Sequence, residues 1–246
     1  LVSIRSDKVY HSMTSAETNQ VIKDVAAKEG LDHELLLAIC MVESSLDPYA
    51  VRFEPAYKWV LSPREWASQM RLSVATEETL QKTSYGLAQI MGAVMREYGF
   101  SGKLQTCLLN PSVPLSYSAK HLKNYLRRYG TEVEAISAYN AGSPRKTAGG
   151  MFLNQTYVDK VSAELESTKG KLDKATTKGK ELGDEVKELK GQLSQSQKEH
   201  DAAVKSGSAL SQQLECVKGE YAAKVQEYES AIKSSNEEFA AKEKQM

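Results

Sequence analysis

The sequence has few cysteines and no spacing of residues that typically holds a metal. Three cysteines, Cys40, Cys107 and Cys216, are spread over 246 residues without a Cys-x-x-Cys pair, and the four histidines are scattered. Such cysteines do not make a disulfide framework, and Cys40 and Cys107 have the apolar neighbours of small core residues. We therefore predict no disulfide framework, no metal site and no cofactor.

An excess of charge of one sign is missing as well. The 32 lysines and arginines balance the 32 aspartates and glutamates, so the net charge is zero. Proteins that bind nucleic acid usually have a basic excess, so we expect no nucleic-acid partner. Two local basic pairs remain, Arg127-Arg128 and Arg145-Lys146, and each either meets an anionic partner or forms a solvated helix face.

Long apolar runs are also absent. No window of about 18 apolar residues occurs, so no membrane-spanning helix is predicted. The chain starts with Leu1-Val2-Ser3-Ile4-Arg5, which lacks the apolar centre of a signal peptide. We expect either that a signal was removed or that the protein reaches its site of action by another route.

Proline and tryptophan disappear after residue 160, where the composition changes. From Val161 to Ala231, mostly apolar positions keep one heptad phase, which is typical of a coiled coil. A lone helix cannot bury such a stripe, so residues 161–246 are predicted to form a long helical arm that needs a second copy or another helical protein as partner. Two positions of this stripe, which we call the seam, are the glycines Gly179 and Gly207, and glycine destabilises a helix. Two alternatives therefore remain: a fold-back near Gly207 and a partly disordered linker.

Residues 1–160 are predicted to form a mainly α-helical domain that folds without the arm. The two-residue alternation of strands is rare in this part of the chain. The capping-box pattern that starts a helix occurs at three places: Thr14–Glu17, Ser62–Glu65 and Thr131–Glu134. A further helix is predicted from Thr83 or Ser84 to about Tyr98.

Glu43 is the most informative residue of this domain. It follows the apolar run Leu35–Val42 and precedes Ser44–Pro48, which ends the predicted helix. Burial makes a carboxyl hold its proton more tightly than in water, so Glu43 can act as a general acid near neutral pH. The alternative is a helix-end carboxylate that faces solvent or pairs with an arginine.

Three segments, in order, resemble the signature blocks of the soluble lytic transglycosylase family, which are goose-lysozyme-like enzymes of the bacterial cell wall. They are Glu43-Ser44, Ser84–Met91 and Ala138–Gly142, and the phrases Val51–Pro55 and Asn154–Val158 also look similar to a branch found in phages and bacteria. The resemblance covers roughly residues 17 to 160. It departs at Ala88, where the family usually has methionine, but this removes no reacting group.

The resemblance implies a goose-type lysozyme-like fold and a peptidoglycan lytic transglycosylase. Glu43 would protonate the oxygen that joins N-acetylmuramic acid to N-acetylglucosamine, and the muramyl acetamido group would assist in place of a second carboxylate. The ionised Glu43 would then take the proton of that sugar's own 6-hydroxyl. The product would be a 1,6-anhydromuramyl end, and no water would be consumed.

The remaining site candidates are assigned to substrate binding. They are Ser44, Glu54, Gly86, Gln89, Tyr139, Asn140 and Tyr157. The Gln89 amide suits an acetamido group, and the resemblance implies that Tyr139 orients the muramyl acetamido group. Gly86 would permit a close approach to the groove, and Asn140 is expected mainly to fix a helix end. The alternatives are a buried polar glutamine, a core tyrosine and a capping glycine.

Glu54 leaves the outcome of the reaction open. If it faces the groove, it could position water for a lysozyme-type hydrolysis, and otherwise it pairs with Arg52. A third possibility is a structural or assembly protein whose head binds the wall and whose arm is the main function. In every case the expected partners are peptidoglycan strands and a helical protein, and the expected setting is virion-associated, periplasmic or extracellular.

Overall fold

The protein, seen in a computed structural model that describes residues 13–243, is mainly α-helical, as predicted. Its helices are α1 Ser15–Glu29, α2 His33–Ser44, α3 Pro63–Met70, α4 Val74–Gln81, α5 Gly92–Glu97, α6 Ser112–Tyr129, α7 Glu132–Ala141 and α8 Gln155–Glu243, with a 3-10 helix at Leu104–Leu109. Three strands, β1 Val51–Phe53, β2 Thr83–Tyr85 and β3 Ile90–Met91, form an antiparallel sheet in that order. The amino-terminal residues, where no signal-peptide core was found, lie outside the described residues.

Helix starts follow the capping signals at two of the three predicted places. Thr14 accepts a hydrogen bond from the Glu17 N–H at 3.2 Å, and the Glu17 carboxylate accepts one from the Thr14 N–H at 2.8 Å. Thr131 caps α7 by accepting the N–H of Glu134. The prediction of a capping box at Ser62 is wrong, because Ser62 has a left-handed backbone and its side chain makes no capping hydrogen bond. Of the predicted start signals of α3, only Pro63 at the first helical position is present.

The helix predicted from residue 83 to 98 is also wrong over its first half. This segment forms the hairpin of β2 and β3, and α5 begins only at Gly92. Gly86 and Gln89 lie in the connecting loop with φ of 71° and 49°. An α-helix cannot contain these left-handed conformations, so the loop ends any helix that could start at Ser84.

The main core lies among α1, α2, α6, α7 and the first turns of α8. Cys40 and Cys107 are buried, as the sequence predicts for small core residues. Three apolar residues of α8 join this core: Val158, Val161 and Leu165 are 2%, 0% and 4% exposed. The first turns of α8 therefore pack with α1, α2, α6 and α7, and we call this unit the head.

The hairpin rests on a second, smaller cluster of buried residues. Beside it, Arg96 of α5 forms a fully buried ion pair with Glu77 of α4 at 2.9 Å. Arg96 also donates to the carbonyls of Phe100 and Gly102 at 2.6 and 2.8 Å. A buried charge pair of this kind is costly to break, so α4 and α5 hold the hairpin in a fixed position.

The chain divides after Lys174 into two units. In the second unit α8 continues through Gly207, so the structure does not support the fold-back alternative. The apolar side chains of its seam are exposed, as shown by Leu189 at 55% and Leu210 at 68%. No described helix is both long and apolar enough to cross a bilayer. The domain boundary at residue 160 stays a prediction.

Candidate active site

A cavity of about 320 Å³ brings most of the predicted site residues together. It is lined by Glu43, Arg52, Glu54, Tyr57, Ser84, Gln89, Met91, Tyr139 and Asn140. These residues come from the end of α2, from the hairpin region and from the end of α7. Segments far apart in sequence therefore build one site around Glu43.

Hydrogen bonds at both ends of α2 fix the position of Glu43. Asp32 caps the start of the helix by accepting the N–H groups of Glu34 and Leu35. After Glu43, the Ser44 hydroxyl donates to the carbonyl of Leu87 at 2.7 Å. Ser44 was predicted to bind substrate, but its hydroxyl instead joins the helix end to the hairpin loop, and it does not line the cavity.

Tyr157 makes the most direct contact with the candidate acid. Its hydroxyl, carried by the first turn of α8, donates to Oε1 of Glu43 at 2.7 Å. Oε2 of Glu43 receives no hydrogen bond from the part of the chain that the structure describes, and Glu43 faces the cavity. One carboxyl oxygen is thus held by the protein while the other is available to a ligand.

Burial raises the pKa of Glu43 above its usual value. The hydrogen bond from Tyr157 and the charge of Arg52 act in the opposite direction, and the nearby Glu54 adds to the rise. The direction is therefore that of a general acid, which must keep its proton near the working pH. The opposing contacts stabilise the carboxylate once the proton has left.

Gln89 holds the hairpin loop by its side chain. Its Nε2 donates to the carbonyls of Gly86 at 2.8 Å and Ala50 at 3.1 Å, and its Oε1 accepts from the Ser84 hydroxyl at 2.8 Å. Both amide hydrogens are therefore used inside the protein, and one acceptor lone pair of Oε1 remains. These bonds offset the cost of the left-handed backbone at Gln89.

Gly86 permits close packing behind the cavity. A Cβ at this position would lie 3.1 Å from Cγ of Pro114 and 3.5 Å from the carbonyl oxygen of Pro48, and φ is positive. Its role is therefore in the turn, where other residues would be strained. It does not line the cavity.

Tyr139 and Asn140 line the cavity from the end of α7. The Tyr139 hydroxyl donates to the carbonyl of Ala88 at 2.7 Å, and burial followed by the charge of Glu43 raises its pKa well above the usual value. Asn140 is exposed and accepts a hydrogen bond from the Asn154 amide at 3.0 Å. Tyr139 thus remains a neutral hydroxyl that can accept a bond from a ligand.

Glu54 lines the cavity and is also paired with Arg52, which combines the two alternatives left open by the sequence. Arg52 itself was not predicted as a site residue, although it lies in the Val51–Pro55 phrase. Tyr57 and Met91 were missed as well, and no local pattern distinguishes them from ordinary loop and strand residues.

A second cavity of about 690 Å³ extends the first. The two share Tyr57, Gln89, Met91, Tyr139 and Asn140. The second adds Trp59, which is 71% exposed and packs edge to face against Tyr57 at 5.5 Å. Exposed aromatic rings in a groove mark a ligand site. We call the two cavities together the groove, and its extent suits an elongated ligand.

The model of the family described as transglycosylase SLT domain matches residues 20–149 of this chain. The match begins within α1 and ends beyond α7, so it includes Glu43, Gln89 and Tyr139. Tyr157 and the rest of α8 lie outside it. No curated protein matches the chain significantly.

Proposed function

This chain belongs to the transglycosylase SLT domain family and is a peptidoglycan lytic transglycosylase, and we propose that Glu43 is the single acid that cleaves its substrate. The bond cut is the one between N-acetylmuramic acid and N-acetylglucosamine, and the product is a 1,6-anhydromuramyl end. The observation that carries this proposal is the half-buried Glu43, which lines the groove and has one carboxyl oxygen held by Tyr157.

In the first step the protonated Glu43 gives its proton to the bridging oxygen. Its raised pKa supplies the protonated form, because burial disfavours the carboxylate. The leaving N-acetylglucosamine departs, and the acetamido group of the muramyl sugar stabilises the positive charge that develops at its anomeric carbon. No second protein carboxylate is needed for this step.

In the second step the ionised Glu43 accepts the proton of the muramyl 6-hydroxyl. The hydroxyl oxygen attacks the anomeric carbon of the same sugar, which closes the anhydro bridge and returns the acid to its starting state. The hydrogen bond from Tyr157 and the charge of Arg52 support the carboxylate between the steps. Attack within one sugar has the advantage of proximity over attack by water.

The sugar is positioned by acceptors rather than donors of the groove. The Tyr139 hydroxyl gives its hydrogen to Ala88, and its oxygen can accept the N–H of the acetamido group. Gln89 has one acceptor lone pair free and otherwise fixes the loop. The half-buried ring of Tyr57 and the exposed ring of Trp59 offer apolar faces to the next sugars.

The second candidate function is a hydrolase that acts on the same bond. The position of Glu54 favours it. Glu54 lies on the same cavity as Glu43 and could orient water. Its ion pair with Arg52 works against this role, because the carboxylate is already engaged.

Digestion of purified peptidoglycan followed by mass analysis separates the two outcomes. The transglycosylase reaction releases muropeptides that are one water lighter than those of a hydrolase. Fully hydrated products alone would contradict the proposal and favour the role of Glu54 in water attack.

Tyr157→Phe tests the support given to Glu43. Removing the hydrogen bond takes away an effect that lowers the pKa of Glu43, so the alkaline limb of the kcat/KM profile moves to higher pH. The rate falls by about tenfold, which is typical for a lost hydrogen bond to a charged group. Tyr139→Phe is the matched control: its hydroxyl bonds to Ala88 rather than Glu43, so its alkaline limb stays in place. An unshifted limb in Tyr157→Phe would refute the assignment.

The arm and the setting of the enzyme belong to the same proposal. Exposed seam residues of α8, such as Leu193 and Leu214 at 67% and 56% exposure, support a helical partner that covers them. A second copy and another helical protein both fit this chemistry. The enzyme would act locally at the bacterial wall, during phage entry or wall remodelling, from a virion or from the periplasmic or extracellular side.

A further inference from the structure

A third cavity, of about 820 Å³, lies along one face of α6 and is rich in positive charge. Four exposed cations line it: Lys120, Lys123, Arg127 and Arg128. Their spacing of three, seven and eight residues from Lys120 places them on one side of the helix. We call these four residues the α6 basic face.

The α6 basic face borders the groove. Glu97, His121 and Tyr125 line both the α6 cavity and the larger part of the groove. Burial lowers the pKa of His121 to about 4, so it adds no charge at neutral pH. A polymer bound in the groove therefore runs close to a cationic surface, because the two cavities share these side chains.

The positive charges of this face are not neutralised by the protein. None of the four cations has a carboxylate within ion-pair distance among residues 13–237. Lys123 donates to the carbonyl of Glu29, and Arg127 donates to the amide of Asn124 at 3.2 Å. Glu97 is the acidic residue that lines this cavity, which leaves a clear cationic excess.

We propose that the α6 basic face binds carboxylates of the peptide stems of the peptidoglycan strand held in the groove. This inference rests on the proposed function. The glycan itself offers mainly neutral hydroxyl and acetamido groups, whereas each stem projects sideways from a muramyl sugar and carries free carboxylates. A cationic surface beside the groove matches that charge, and guanidinium groups suit carboxylates in particular.

The test compares two substrates that differ only in their stems. Soluble glycan strands are used with intact peptides or after removal of the peptides by an amidase, and phosphate polymers are first stripped from both. The variant is Arg127→Gln/Arg128→Gln, which spares the structural bond of Lys123. The control is Arg64→Gln/Lys103→Gln, which removes two exposed charges that line neither the groove nor the α6 cavity.

We expect the variant to lose about fivefold in kcat/KM on peptide-bearing strands, since exposed ion pairs are individually weak. On peptide-free strands it should match the wild type, and the control should match it on both. High salt should reduce the advantage of the wild type, because it screens exposed charges. No loss, or an equal loss on both substrates, would overturn the inference.

Binding keeps this inference separable from the proposed reaction. In a Glu43→Gln background, isothermal titration calorimetry with the same soluble strands, with or without stems, measures binding without cleavage. A preference for stem-bearing material that the arginine substitutions abolish supports the basic face even if the products are hydrated. An equal affinity for both materials contradicts it, whatever the products are.

Discussion

Glu43→Gln abolishes cleavage of peptidoglycan and leaves the fold intact. The amide has nearly the shape of the acid and can still accept the hydrogen bond of Tyr157, but it has no proton to give. Loss of a general acid costs about a hundredfold or more. Release of soluble muropeptides from purified walls measures the rate, and circular dichroism reports the fold.

The same substitution raises the melting temperature near neutral pH. The pKa of Glu43 is higher in the folded protein than the value of about 4.3 expected for an unfolded chain. The wild type therefore loses stability as the pH rises from the unfolded pKa through the folded one, because the carboxylate is disfavoured by burial. The neutral amide is spared this loss, so the difference between the two proteins should vanish at acid pH.

Glu54→Gln is the matched control, since it makes the same chemical change at the other carboxylate of the cavity. It should keep most of the activity. The assignment of Glu43 fails if Glu43→Gln retains more than about a tenth of the wild-type rate, which lies outside the range of lost general acids, or if Glu54→Gln alone is inactive.

Ending the chain after Lys160 destabilises the head severely, whereas ending it after Lys174 leaves an active enzyme. The shorter version lacks Val161 and Leu165, which are buried in the core. Loss of each large buried side chain costs about 2–5 kcal/mol, and a domain has only about 5–15 kcal/mol in total. The position of Val161 and Leu165 in the core argues against the expectation that residues 1–160 fold alone, and this truncation tests that expectation.

Thermal unfolding and muropeptide release measure both versions. The longer one keeps the core residues of α8 and a complete helical turn around Tyr157, so its melting temperature should be close to that of the full chain. A stable, active protein ending at Lys160 would show that the α8 residues of the core are dispensable. An inactive but folded protein ending at Lys174 would show that the second unit contributes to the reaction.

The sequence predicts the half-buried position of Glu43, which the structure shows, because the signal is local. A carboxyl that follows eight apolar residues and precedes a helix end lies at the margin of the core, because burying its charge completely is costly. The three ordered blocks then identify the family, and the family model that matches residues 20–149 supports the same conclusion.

The hairpin and the contacts of Gln89 and Tyr157 could not be predicted from the residue pattern of any one segment. Residues 83–91 form a hairpin whose loop contains Gln89 in a left-handed conformation, and the Gln89 side chain bonds back to Ala50, which is 39 positions away. Tyr157 was predicted to contact substrate, yet its hydroxyl bonds Glu43 across 114 positions. Such contacts depend on the tertiary fold, which the spacing of residues within one segment does not determine.

Digestion of peptidoglycan in heavy-oxygen water tests the central claim most directly. If Glu43 delivers the muramyl 6-hydroxyl to the anomeric carbon, the new ends contain no solvent oxygen and are one water lighter, at every extent of digestion. New muramyl ends that carry the heavy oxygen in proportion to its enrichment in the water would contradict the account and identify the enzyme as a hydrolase.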